Sequence, residues 1–136
     1  MGYYVPEMEP LVDGGKTMVL SHKNLKNTNI SDKPLLDDVI IEATWEGDII
    51  WEWICSEHFE EFAFSEEAKN ILCRNPNMRP AGGGMGDWMH INSISLLGPN
   101  KWYEKGDKRF HPDNIIWSSR QANIVAVTDK TSGELV

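Results

Sequence analysis

Apolar residues in this chain come in short runs separated by polar turns, and most runs are too short for a helix. "TMVLSHK" (17–23), "DVIIEAT" (38–44), "DIIWEW" (48–53), "INSISLL" (91–97), "NIIWSS" (114–119) and "NIVAVTD" (123–129) are rich in Val, Ile, Trp and Thr. Each is bounded by Gly, Asp, Asn or Pro, which predicts six strands. A seventh run, "ELV" (134–136), begins at the C-terminal end of the sequence. Helical spacing occurs in one place, residues 55–72. There Phe59, Phe62 and Ala63, then Ala68, Ile71 and Leu72, form apolar faces. Ser56, with Glu60 and Glu61 in the opening turns, is placed to cap that helix. Glu66 and Glu67 interrupt the apolar face, so Ser65 is the alternative cap of a second, shorter helix.

The strand pattern repeats. "IIEATWEGDIIWEW" and "IVAVTDKTSGELV" share one scheme: apolar strand, Thr, polar turn ending in Gly, acid, second apolar strand. Gly47 and Gly133 supply the positive φ that such turns require. A repeated meander is the mark of a β-propeller. The expected fold is therefore all-β, a propeller fragment of about two incomplete four-stranded antiparallel blades with one short helical insert. Residues 1–54 then hold strands B–C–D of one blade (17–53), 55–90 a helical and Gly-rich insert, and 91–136 strands A–B–C and the start of D of the next. The distance from Gly47 to Gly133 exceeds the ~40–50 residues of an ordinary blade. The insert and the polar loop 98–112, "GPNKWYEKGDKRFHP", account for the excess. A two-sheet sandwich is the rival architecture. Partial blades leave unpaired edges and an uncovered apolar face. The expectation is that another chain, or self-association, completes the propeller.

Charge narrows the partners. Thirteen basic against 21 acidic residues leave a net charge of −8, which disfavours nucleic acid and anionic membranes but allows a local site for a small anion. No run approaches the ~20 apolar residues of a transmembrane helix, and "MGYYVPEMEPLVDGG" lacks the regions of a signal peptide. Cys55 and Cys73 are in no CxxC arrangement, and the sequence leaves open whether they pair. "AGGGMG" (81–86) lacks the order of a phosphate-binding loop, and the acids of "SEHFEEFAFSEE" read as a solvated helix face rather than a metal site. No cofactor and no metal are expected.

Strand order assembles one candidate site. In a meander the start of strand A lies beside the end of strand B. That brings His90 and Asn92 of "GDWMHINSI" against Ser118, Ser119 and Arg120 of "NIIWSSR". His90 and Asn92, two apart, are expected on one face of the strand. Arg offers a planar fork of donors for sulfate or phosphate, Asn an amide donor, and His a hydrogen bond or a proton. Trp88, beside this site, is the candidate to stack on an aromatic substrate, and Ser119 a candidate substrate contact. Trp51, Trp53 and Trp117 lie within strands and suit blade packing. The plainer reading is that His90 and Asn92 cap a strand entrance while Arg120 pairs with a surface acid such as Asp87.

At these residues the sequence resembles the bacterial arylsulfotransferases, through "DDVIIEATWEGDIIWEW", "DWMHINSISLL" and "DNIIWSSRQANIVAVTDKTSGELV". The resemblance covers roughly 37–136 except the loop 98–112. It implies a six-bladed propeller enzyme that moves a sulfuryl group from a phenolic sulfate ester to a phenol acceptor without a nucleotide donor, through a sulfurylated histidine. His90, Asn92 and Arg120 match the residues that contact the sulfuryl oxygens. The histidine nucleophile belongs to a later blade, which has no match in this sequence. His22, His58 and His111 do not match it, and His58 and His111 read as solvent-facing. The resemblance also implies an extracytoplasmic, often periplasmic, location. The rival readings are a non-catalytic propeller segment for binding or scaffolding, and an inactive truncated product.

Overall fold

Two antiparallel sheets joined by a helical segment form the structure, a computed structural model that describes residues 2–3, 15–78 and 84–136. In the first sheet β1 (Gly2–Tyr3), β2 (Thr17–Leu25), β3 (Leu35–Ala43) and β4 (Ile49–Ile54) follow one another in space as in sequence. A two-residue strand, β5 (Gly86–Asp87), pairs in parallel with the start of β3, beyond the point where β4 stops pairing. The second sheet is the meander β6 (Ile91–Leu96), β7 (Ile115–Ser119), β8 (Ile124–Thr128). A bridge from Thr128 to Leu135, and Val136 N–H donating to Val127 O at 3.0 Å, start a fourth strand on β8. The fold is all-β, two incomplete blades of the propeller kind. Gly47 (φ 94°) and Gly133 (φ 81°) sit at positive φ in the two matching turns.

One apolar core lies between the sheets, drawn from Met18, Leu20, Leu35, Ile40 and Trp53 on one side and Ile91, Ile94, Ile115 and Trp117 on the other. The Trp53 and Trp117 rings meet at 5.4 Å. Burying such side chains contributes roughly 1.5–3 kcal/mol each. The indole N–H groups of Trp51, Trp53 and Trp117 are also satisfied. Trp53 N–H donates to Gly133 O at 2.9 Å and Trp51 N–H to Lys130 O at 3.0 Å, so the first sheet grips the last turn of the second. Lys130 Nζ reaches back to Glu42 Oε1 at 2.7 Å, and Glu42 is buried.

The structure departs from or decides between several expectations. β3 begins at Leu35, before the acid pair Asp37–Asp38, and β1 and β5 are additional short strands. The region 55–72 is two elements: a 3-10 segment, Cys55–Phe62, broken at His58, and α1 (Glu66–Arg74). Ser65 caps α1 by accepting Ala68 N–H, whereas Ser56 donates its hydroxyl to Asp37 Oδ2 at 2.6 Å and caps nothing. The loop 98–112 holds a short helix, α2 (Lys101–Glu104), capped by Asn100, and a 3-10 turn, Lys108–Phe110. Its single helical turn is too short to leave a periodic signature. Cys55 and Cys73 are both free. Of the Gly-rich stretch, residues 81–83 lie outside the described residues.

The contact between sheets can be tested at its buried ion pair. Lys130→Met should destabilise the chain by about 3 kcal/mol in urea unfolding, because it strands the Glu42 carboxylate. Adding Glu42→Gln to that variant should recover most of the loss.

Candidate functional site

The turn that leaves β7 wraps the segment that enters β6. Arg120 N–H donates to His90 O at 3.1 Å and Gln121 N–H to Met89 O at 3.1 Å. The Ser119 hydroxyl also donates to Met89 O and accepts Ala122 N–H. His90 and Arg120 are thus joined through their backbones. Asn92 is tied to the same strand end, since Ser118 Oγ donates to Asn92 Oδ1 at 3.2 Å and lies 2.8 Å from Ser93 Oγ.

Regular strand alternation is not what orients these residues. His90 precedes β6 and has φ 53°, a left-handed conformation uncommon outside glycine. The register then shifts between Ile91 and Ser93, leaving Asn92 at a bulge. Bulges re-aim side chains and occur beside active sites. Ile91 is buried, while His90 is half-buried and Asn92 and Arg120 are exposed.

Asp87 does not pair with Arg120. Its Oδ2 lies 2.6 Å from His90 Nδ1, and its side chain is 6% exposed. The parallel pairing of β5 with β3 puts it there, Leu36 opposite Asp87. Gly86 permits that approach: a Cβ at this position would lie 2.4 Å from Pro76 Cγ and 2.6 Å from Pro76 O.

Two further acids are buried on β3, the strand beside the candidate site, and were not picked out as candidates in the sequence. On β3, Asp37 and Asp38 point to opposite faces. Asp37 accepts from Ser56 N–H and Oγ, and lies across from Lys23. Asp38 Oδ2 accepts Ile91 N–H at 3.1 Å, the residue after His90. Its Oδ1 lies 3.1 Å from His22 Nε2, without hydrogen-bond alignment. Burial pushes the Asp38 carboxyl up to about 7; neighbouring Asp87 and Asp37 add to the rise, and the Ile91 N–H opposes it. Burial also raises Asp37, against the Ser56 hydrogen bonds and the Lys23 charge. The signal was the pair "DD" within "LLDDVII", since charged residues are almost never buried without partners.

Trp88 is 2% exposed and packs on Phe59 and Phe62, at centroid distances of 5.9 and 6.4 Å. It also borders a cavity of about 230 Å³ with Phe64, Leu72 and Gln121. Ser119 is buried beneath the turn. His58, read as solvent-facing, instead stacks on Trp53 at 4.7 Å and lies 2.7 Å from Glu61. Among the described residues, no group of three or more His, Cys, Asp or Glu side chains is arranged to hold a metal ion.

A family model for Arylsulfotransferase (ASST) matches residues 10–136. No curated protein and no solved structure matches the chain.

The raised carboxyls give stability a definite pH dependence. A proton held more tightly in the folded than in the unfolded chain stabilises below about pH 4. That contribution is lost as pH rises through the folded value near 7. Asp38→Asn keeps an acceptor for Ile91 N–H and removes the titration. Its stability, from urea unfolding between pH 4 and 8, should decline less than that of the wild type.

Proposed function

The chain belongs to the arylsulfotransferase family, and on that premise we propose that His90, Asn92 and Arg120 hold the oxygens of a sulfuryl group in transit between two phenols. The observation that carries this reading is the direct bond from Arg120 N–H to His90 O. It brings the backbones of Arg120 and His90 together at one strand end, with Asn92 at the adjoining bulge. As the sulfur–oxygen bond of a phenolic sulfate breaks, negative charge builds on the leaving phenolate and the three equatorial oxygens. Preorganised Arg, Asn and His donors stabilise that charge with little reorganisation. The sulfuryl group passes to a histidine supplied from outside the segments resolved into these two sheets, and then to the acceptor phenol. Ser119 supports the site by fixing Met89 O, and the cavity that Trp88 borders takes an aryl group.

The sheet surfaces left bare suit completion of the propeller by another chain or a second copy. Ile49, Ile50 and Val125 are 62%, 47% and 71% exposed. Apolar strand surfaces of this kind favour association.

Two measurements test these readings. Arg120→Ala should weaken binding of inorganic sulfate at least tenfold in calorimetry while leaving the fold intact. No sulfate binding and no 4-nitrophenyl sulfate turnover by the native species would favour a scaffolding segment instead. The native mass should exceed the 15.5 kDa of one chain; a monodisperse monomer would refute the completion proposal.

A further inference from the structure

Asp87 is buried beside His90. It sits on β5, whose Gly86 is packed so closely on Pro76 that no side chain fits there. From that position its Oδ2 contacts His90 Nδ1 at 2.6 Å, with only 6% of the Asp87 side chain and 27% of the His90 side chain exposed. A carboxylate only accepts hydrogen bonds, so the nitrogen facing it carries a proton. Two hydrogen bonds hold the backbone at the ring's origin: Arg120 N–H to His90 O, and Ile91 N–H to the Asp38 carboxyl Oδ2.

We propose that Asp87 is the positioning residue of His90: it keeps the proton on Nδ1 and leaves Nε2 as the one atom where the ring gains or loses a proton toward the sulfuryl group. With its proton, Nε2–H donates to a sulfuryl oxygen. Without it, Nε2 presents a lone pair that repels that oxygen and can take the proton of an acceptor phenol. The Asp–His arrangement thus gives one ring two functions in one orientation. Among the described residues, the other titratable or charged groups linked to this pair are Asp38 from β3, which accepts Ile91 N–H and has His22 of β2 and Asp37 as neighbours, Lys23 of β2 opposite Asp37, and Arg120 from the turn after β7, joined through its backbone. The proposal rests on the sulfuryl-binding role of His90 given above.

Nitrogen-resolved NMR of the histidine rings in the full chain, with His90 assigned by the loss of its signals in His90→Gln, reads the tautomer directly. Nδ1 should stay protonated throughout a pH titration and Nε2 alone should change. A neutral His90 with its proton on Nε2 would overturn the proposal, and this readout needs no variant at Asp87 to fold. Asp87→Asn should turn the neutral ring into a mixture of tautomers and lower affinity for inorganic sulfate ~10-fold, as loss of a buried partner of a ligating histidine does. Asp87→Glu should restore most of it. If the wild type shows the expected tautomer but binds no sulfate, the functional reading fails and the positioning role stands. If sulfate binds wild type and Asp87→Asn equally, with an unchanged tautomer, the positioning role fails and the functional reading stands.

Discussion

A carboxyl group buried on β3 of one sheet accepts the first amide of β6 in the other, and this bond anchors the entry to the candidate site. Asp38 Oδ2 to Ile91 N–H fixes where β6 begins. The chain then enters from His90 in a left-handed conformation that the strand itself would not adopt. Burying a carboxyl is expensive. Asp38 answers that cost in part by being held toward its neutral form and in part by this hydrogen bond. The tryptophan grips and the Glu42–Lys130 pair at the opposite side keep the two sheets from sliding, so the cost is met by a contact that spans both.

The candidate site draws on two segments. Residues 87–92 and 118–122 are far apart in the chain, yet backbone hydrogen bonds from Arg120 and Gln121 to His90 and Met89 lock them together. The bulge at Asn92 and the positive φ of His90 are local departures from good strand geometry at the same place. Such departures persist where the surroundings enforce them, and they concentrate where side chains must be aimed. Here the enforcing groups are Asp38 and Asp87, one on the backbone and one on the ring.

Much of this was legible in the residues. Period-two runs of Ile, Val and Trp bounded by Gly and Asn located six strands, and the matched Gly47 and Gly133 turns revealed the repeat. The adjacency of His90, Asn92 and Arg120 followed from strand order alone, because it needs only antiparallel neighbours. What stayed hidden depends on tertiary packing. Asp37 and Asp38 look like the polar boundary of a strand, and only a strand covered on both faces turns them into buried groups. Asp87 looked like a surface partner for Arg120, because nothing local announces a two-residue parallel strand. Ser56 looked like a helix cap until Asp37 claimed its hydroxyl. The family resemblance supplied the sulfuryl chemistry that residue types alone left open.

The chain's cationic groups cluster elsewhere, with Lys101, Lys105, Lys108 and Arg109 in the loop 98–112, which lies outside the proposed site. Backbone amide shift mapping of the labelled chain during a sulfate titration separates the two. A site built by Asp38, His90 and Arg120 predicts saturable shifts concentrated at residues 89–93 and 118–122. Shifts centred on residues 101–109 with the strand ends unmoved would contradict it.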